Sequence, residues 1–222
     1  MASLVVECIT CRIGGRHVWE SATFALDPGV AVIGGPSGSG KTMLLEVLAG
    51  LRRADQGRVI WDGNPLRGAV LDEYRAVRGY CPAARWDARA MTVESALQWM
   101  AALWEVSKPE RAVVREMARW GLGPVARQRI GTLSEGYQRR VLLATSLLMS
   151  PVVWMVDRPF EALDAEGRVL VQTLLAGVLS GTTALVWPKL AVLADADPED
   201  LPAPIRMSPV SGSNLTIGRM ER

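Results

Sequence analysis

Gly35, Pro36, Ser37, Gly38, Ser39, Gly40, Lys41 and Thr42 are the residues whose types and spacing most clearly imply chemistry. A glycine, four variable residues and then Gly-Lys-Thr is the pattern of a loop that wraps a phosphate. Glycines let the backbone curl so that successive N–H groups converge on one anion, and the following helix adds its positive end. The Lys41 ammonium would face the β- and γ-phosphates of a nucleotide, and the Thr42 hydroxyl would join a magnesium shell. The four fixed positions should coincide by accident in about one chain of this length in a hundred. Farther on, Val152-Val153-Trp154-Met155-Val156 is an apolar run that ends in Asp157. A buried strand delivering a carboxylate to the same magnesium has this form.

Elements must hold these groups in place. Val30-Ala31-Val32-Ile33, before the loop, reads as a buried strand, and residues 42–51, after it, as a helix. Residues 3–9 and 22–26 read as strands of an opening sheet, with Val6, Cys8 and Thr10 alternating along the first. Val59-Ile60-Trp61 followed by Asp62-Gly63 is a strand entering a turn. From about 84 to 133 the pattern turns helical. Thr92 caps a helix to about Val106, with Glu94 in its first turn. Ser107-Lys108-Pro109-Glu110 combines a capping box with an early proline, and Gly121 stops the helix that follows. A third helix is expected from Ser134 to just before Pro151. Residues 165–179 read as a buried helix and 184–187 as a short buried strand. The tail from Asp195 carries weak signals, with a hairpin turn at Ser211-Gly212-Ser213-Asn214. This order predicts an α/β fold on a parallel sheet, interrupted by a helical insertion.

A chain of 222 residues suits one domain with an embellishment. Its net charge of +2 argues against a strongly basic nucleic-acid binder and an acidic disordered tail. Three cysteines make no disulfide framework and favour a reducing compartment. Cys8-x-x-Cys11 has metal-like spacing but no second pair. The single histidine, His17, excludes any mechanism that needs two. The start has no secretory signal pattern. Residues 169–188 carry no charge over the nominal length of a membrane span, but Gln172, Thr173 and the cluster Ser180-Gly181-Thr182-Thr183 divide them. They read as α/β core, so a membrane is met only through partners.

Leu133-Ser134-Glu135-Gly136-Tyr137, followed by Gln138-Arg139-Arg140-Val141, has a serine hydroxyl and bare N–H groups at a helix start, which can bind an anion. With the phosphate loop and Asp157, it makes residues 3 to about 190 resemble the nucleotide-binding subunits of ABC transporters, in an exporter-like form of the signature. The resemblance implies a single ATP-binding domain. A RecA-like P-loop NTPase core would span about 1–83 and 134–190, with an N-terminal antiparallel β region, an inserted α-helical subdomain at about 84–133 and a divergent tail at about 191–222. It implies ATP and Mg2+ as cofactors. ATP would be held by Gly35 through Thr42, with Met43 and Ile13; the metal would take Thr42 and Asp157. Ser134, Glu135, Gly136 and Tyr137 would serve in trans, on a γ-phosphate held by the other subunit of a head-to-tail dimer, and Asp164 in Ala162-Leu163-Asp164 would be the D-loop residue. Transmembrane transporter subunits are the implied partners, at the cytoplasmic face of the membrane. Trp86, Trp99 and Trp104 lie in the insertion where the family docks them; core packing explains any one of the three, whereas a shared exposed patch would mean an interface.

Four positions depart from the family. Arg158 stands where a glutamate normally polarises water, and a guanidinium has no acceptor with which to act as a base. Ala83 replaces the glutamine that senses the γ-phosphate, and Trp187-Pro188-Lys189 stands where the switch histidine should follow the last core strand. Ile13 replaces the aromatic residue that stacks on adenine, losing on the order of 1 kcal/mol. Loss of a general base typically costs 10²–10⁴-fold in rate. Arg158 could pair with a γ-phosphate, or with a carboxylate such as Glu161. The expectation is a subunit that binds ATP-Mg, hydrolyses it weakly or not at all, and pairs with a competent second ABC ATPase subunit. The alternatives are an active homodimeric ATPase energising transport and a soluble nucleotide-gated protein without a transporter.

Overall fold

In the computed structural model the described residues are 3–83, 87–180 and 188–220, with Arg16 described by its backbone alone. β1 (Leu4–Ile13) and β2 (Arg16–Leu26) form an antiparallel hairpin across Gly14-Gly15. They are followed by β3 (Gly29–Gly34), α1 (Lys41–Leu48), β4 (Gln56–Trp61) and the two-residue β5 (Asn64–Pro65). Four of these strands make one antiparallel sheet in the order β2-β1-β4-β5. The strict alternation expected in β1 breaks at Cys8, which is exposed at φ 50 where the pairing with both neighbours shifts register. The bulge inserts an extra residue and turns the strand while Val6 and Thr10 stay buried.

A second sheet holds the phosphate loop. It contains β6 (Arg78–Cys81), which follows α2 (Ala69–Val77), and β7 (Val153–Asp157) and β8 (Leu190–Ala194). β9 (Ile205–Pro209) and β10 (Thr216–Met220) complete it in the order β6-β7-β8-β3-β10-β9. The first four strands in that order are parallel. β7 and β8 are buried along their whole length, as unbroken apolar runs in a two-sided parallel sheet must be. One core, with Leu97, Trp120, Leu143 and Trp154, covers one face; another, with Ile9, Trp19, Leu44 and Met155, covers the other.

The helices lie close to their sequence expectations. α3 (Val93–Leu103) starts at Thr92, whose side chain accepts from Ser95 N. α4 (Pro109–Arg119) has Pro109 in its first turn and ends before Gly121, at φ 61. The expected capping box does not form: Lys108, in a left-handed conformation, is the N-cap, and it makes no side-chain cap bond. α5 (Glu135–Leu147) is capped by Ser134. α6 (Ala165–Ser180) buries one stripe, Gly167, Val171, Leu175 and Val178, and exposes Val169, so it is amphipathic rather than buried throughout.

The last parallel strand differs from the expectation. The expected strand at 184–187 and Trp187 itself lie outside the described residues, as does Trp86. Leu190–Ala194 occupies the slot between β3 and β7, with Ala194 in register with both Ile33 and Asp157. The residue that follows this strand is therefore Asp195, and not the Trp187-Pro188-Lys189 segment. The tail is also more structured than its composition suggested. Its hairpin, β9–β10, extends the sheet by pairing antiparallel with β3. No helix among the described residues is long and apolar enough to cross a membrane.

Candidate nucleotide site

The phosphate loop joins β3 to α1, so its backbone is fixed by a buried strand on one side and a buried helix on the other. Gly40 lies at φ 88, and a Cβ there would come within 2.6 Å of Val18 Cγ1. Trp19 Nε1 donates to the Ser39 carbonyl at 3.0 Å, which pins the loop to the first sheet. As N-cap of α1, Gly40 offers no side-chain acceptor, and the first turn contains no acidic residue. The unanswered N–H groups and the helix dipole suit a phosphate.

Lys41 Nζ donates to Gly35 O at 2.8 Å and to Pro36 O at 3.0 Å. It also lies 3.2 Å from Asp195 Oδ1. Thr42 Oγ1 donates to Asp157 Oδ2 at 2.7 Å, although the two residues come from opposite halves of the chain. Asp157 is 1% exposed, and its Oδ1 has no hydrogen-bond partner among the described residues. Burial pushes its carboxyl above the usual range, opposed by the Thr42 hydrogen bond and by Arg158. An unsatisfied buried carboxylate oxygen beside a threonine hydroxyl is a donor set that fits Mg2+. Thr42 and Asp157 would hold that ion, and its charge would neutralise phosphate oxygens at the loop. Met43 is buried with the core, so any share it has in the site would be through its main-chain N–H. Ile13 is 59% exposed at the end of β1 and is open to contact with a ligand.

Arg158 takes up the carboxylate alternative, and with two partners. Its Nη1 meets Glu161 Oε1 and its Nε meets Asp195 Oδ2, both at 3.3 Å. Ala83 offers no polar atom beyond its backbone. The neighbouring Pro82 O accepts from Arg139 Nη1 at 2.6 Å, while Arg139 Nη2 donates to the Asp157 and Arg158 carbonyls at 2.6 and 2.9 Å. One buried guanidinium thus ties the start of α5 to both the Ala83 segment and the end of β7.

Ser134 is exposed at the start of α5, where its Oγ accepts from Tyr137 N at 3.4 Å. Its hydroxyl proton stays available to an outside acceptor. Glu135, also exposed, opens the helix, and Tyr137 lies beneath the Arg140 guanidinium, 5.0 Å from its ring centre. Gly136 is buried, and a Cβ there would meet Ala162 O at 3.3 Å, so its lack of a side chain lets the D-loop segment pack close. Asp164 Oδ1 accepts from Arg140 Nη2 at 2.5 Å and from Gly167 N at 2.9 Å. The Arg140 bond holds the Asp164 carboxyl below its usual range. The fold therefore forms two groupings: Gly35–Thr42 with Asp157, Arg158 and Asp195, and Ser134–Tyr137 with Arg140 and Asp164.

Asp195 and Arg139 were missed by the sequence reading. A signal existed for Asp195, because Leu190-Ala191-Val192-Leu193-Ala194 ending in aspartate repeats the pattern that marked Asp157. Arg139 carried no separate mark beside Arg140.

A P-loop on a parallel sheet, with a threonine hydroxyl hydrogen-bonded to a buried carboxylate at the end of one of its strands, defines a nucleotide-binding protein of the P-loop class. The family model for ABC transporters matches residues 20–161. The chain belongs to the ABC transporter family, as an ATP-binding subunit. A cytochrome c biogenesis ATP-binding export protein, CcmA, of Nitrosospira multiformis is 34% identical over 75% of this chain and 81% of its own. The protein of the same name in Pseudomonas fluorescens is 35% identical, over 80% of this chain and 84% of its own. An ABC transporter ATP-binding protein of Pyrococcus furiosus has the same fold at a TM-score of 0.70 and 21% identity, covering 88% of this chain and 92% of that one.

Proposed function

We propose that this subunit binds ATP-Mg at Gly35–Thr42 and Asp157 but hydrolyses it poorly, and that it works beside a competent ABC ATPase subunit in a membrane transporter. The observation that carries this reading is the position of Arg158. It directly follows the magnesium aspartate, and its guanidinium is engaged by Glu161 and Asp195. Position 158 itself carries no carboxylate to take a proton from water, and the two carboxylates beside it are paired with its guanidinium. The contacts that bind phosphate and magnesium need no such base.

Ser134 and Gly136 would complete the partner's site. The exposure of Ser134 and its unshared hydroxyl proton support that role. Separate transmembrane subunits would anchor the complex, with this chain at the cytoplasmic face. Trp99 and Leu103, on one face of α3, are 50% and 59% exposed. Leu103 and the half-buried Trp104 line a cleft of about 570 Å³ with Leu51, Tyr80 and Met149. An apolar patch beside a cleft suits a protein partner. The relatives named as export proteins support export as the direction of transport.

The test is purification of this chain with whatever subunits accompany it, followed by nucleotide binding and ATPase measurements on the chain alone and on the complex. Binding without appreciable turnover alone, and turnover in a complex with a second, motif-complete ABC subunit, is the expected result. A homodimer with substantial turnover would overturn it.

A further inference from the structure

The Lys41 ammonium has three protons to donate, and three acceptors surround it: Gly35 O, Pro36 O and Asp195 Oδ1. The other oxygen of the same carboxylate, Asp195 Oδ2, pairs with Arg158 Nε at 3.3 Å. Asp195 thus engages two cations at once, Lys41 of the phosphate loop and Arg158 beside Asp157, as a terminal phosphate would. Its position is fixed by the sheet. Its N–H donates to Ile33 O, at the end of the strand that enters the loop, and the preceding Ala194 O accepts from Arg158 N at 2.8 Å.

We propose that Asp195 is a specificity residue that makes this site favour a nucleoside diphosphate over the triphosphate. The inference rests on the reading of Gly35–Thr42 as a nucleotide site. A β-phosphate is held mainly by the loop N–H groups and the helix start, with Lys41 as a nearby charge, so Asp195 can stay beside the ammonium. A γ-phosphate needs Lys41, so it must displace the carboxylate and then remain beside it. Two anions held a few ångströms apart in a partly desolvated site repel each other strongly. The left-handed backbone of Asp195, at φ 58, is one that asparagine also tolerates, so Asp195→Asn removes the charge with little strain.

The experiment is competition of Mg-ADP and of the non-hydrolysable β,γ-imido analogue of Mg-ATP against a fluorescent ADP, on the full chain. The parent should bind ADP at least as tightly as the triphosphate analogue. Asp195→Asn should tighten the analogue about tenfold, a change of about 1.4 kcal/mol, while shifting ADP less than about threefold. A parent that prefers the triphosphate would overturn the assignment without any variant. So would an Asn variant that binds both nucleotides with an unchanged ratio. Binding of neither nucleotide by the parent would instead overturn the nucleotide-site reading, and the inference with it.

Discussion

Arg140 donates from Nη2 to Asp164 Oδ1 at 2.5 Å and to Glu166 Oε2 at 3.0 Å, and it is the only fully buried member of the trio. The contact fastens the helix that begins at the signature serine to the segment that begins α6. Because Asp164 Oδ1 also accepts from Gly167 N, the same carboxylate caps α6. Ser134 and Asp164 are therefore fastened to one another through Arg140, as the proposed completion of a site in trans would require.

Replacing Arg140 with methionine removes the buried cation and keeps most of the volume. Asp164 and Glu166 are more than half exposed and can rehydrate, so the loss should be roughly 1–3 kcal/mol, below that for breaking a fully buried pair. Urea unfolding of the purified chain measures it. An unchanged midpoint would mean that the contact does not fasten the two segments.

Two carboxyls should respond to pH with opposite signs. The hydrogen bond from Arg140 lowers the pKa of Asp164, so its contribution is present above the ordinary carboxylate range and fades as pH falls through the lowered value. Glu116 is raised by burial, which outweighs Arg119 and Arg115, so its contribution is present in acid and lost as pH rises through the raised value. At neutral pH Asp164→Asn should lower the melting temperature and Glu116→Gln should raise it. Both differences should shrink as the buffer is acidified.

Lys41→Ala should weaken binding of either nucleotide about tenfold or more, since charge-assisted hydrogen bonds contribute about 1.5–3 kcal/mol. Titration by fluorescence reads the effect. Equal affinity in parent and variant would remove Lys41 from the site.

Arg158→Glu restores the family's residue but should not restore turnover. Asp195 would then face a second carboxylate instead of a cation, and Ala83 still offers no side-chain contact to a terminal phosphate. ATPase of the variant chain alone should stay near the parent's low value. A rise of about 10²-fold, the lower end of a general-base contribution, would show that Arg158 alone limits this site.

Ser134→Arg should abolish most turnover of the assembled complex. The bulky cation replaces an exposed hydroxyl at a helix start and obstructs phosphate binding there. The variant also loses the cap on Tyr137 N, at a cost of about 1 kcal/mol, so assembly must be checked alongside rate. Near-normal ATPase in an intact complex would contradict completion of the partner's site by this chain.

Elements whose signals are local were legible in the sequence. The phosphate loop lies within eight consecutive residues, and the caps at Thr92 and Ser134 act within one turn. Local chemistry also misled at Ser107, because the helix starts with Lys108 in a left-handed conformation and Ser107 falls outside the cap position. The bulge at Cys8 was hidden because its cause is mispairing with two neighbouring strands, which the residues of β1 alone do not encode.

The sequence by itself pointed to a phosphate loop and a candidate magnesium pair, since glycine spacing, a lysine, a threonine and a strand-ending aspartate are all local signals. Only the tertiary structure decided which apolar run fills the slot between β3 and β7. Residues 184–187 and 190–194 are both short and hydrophobic, and a parallel strand is selected by its partners on either side. Because Leu190–Ala194 is the strand chosen, Asp195 emerges beside Lys41 and Arg158. The electrostatics of the site are thus set by sheet register, which depends on the pairing of distant segments.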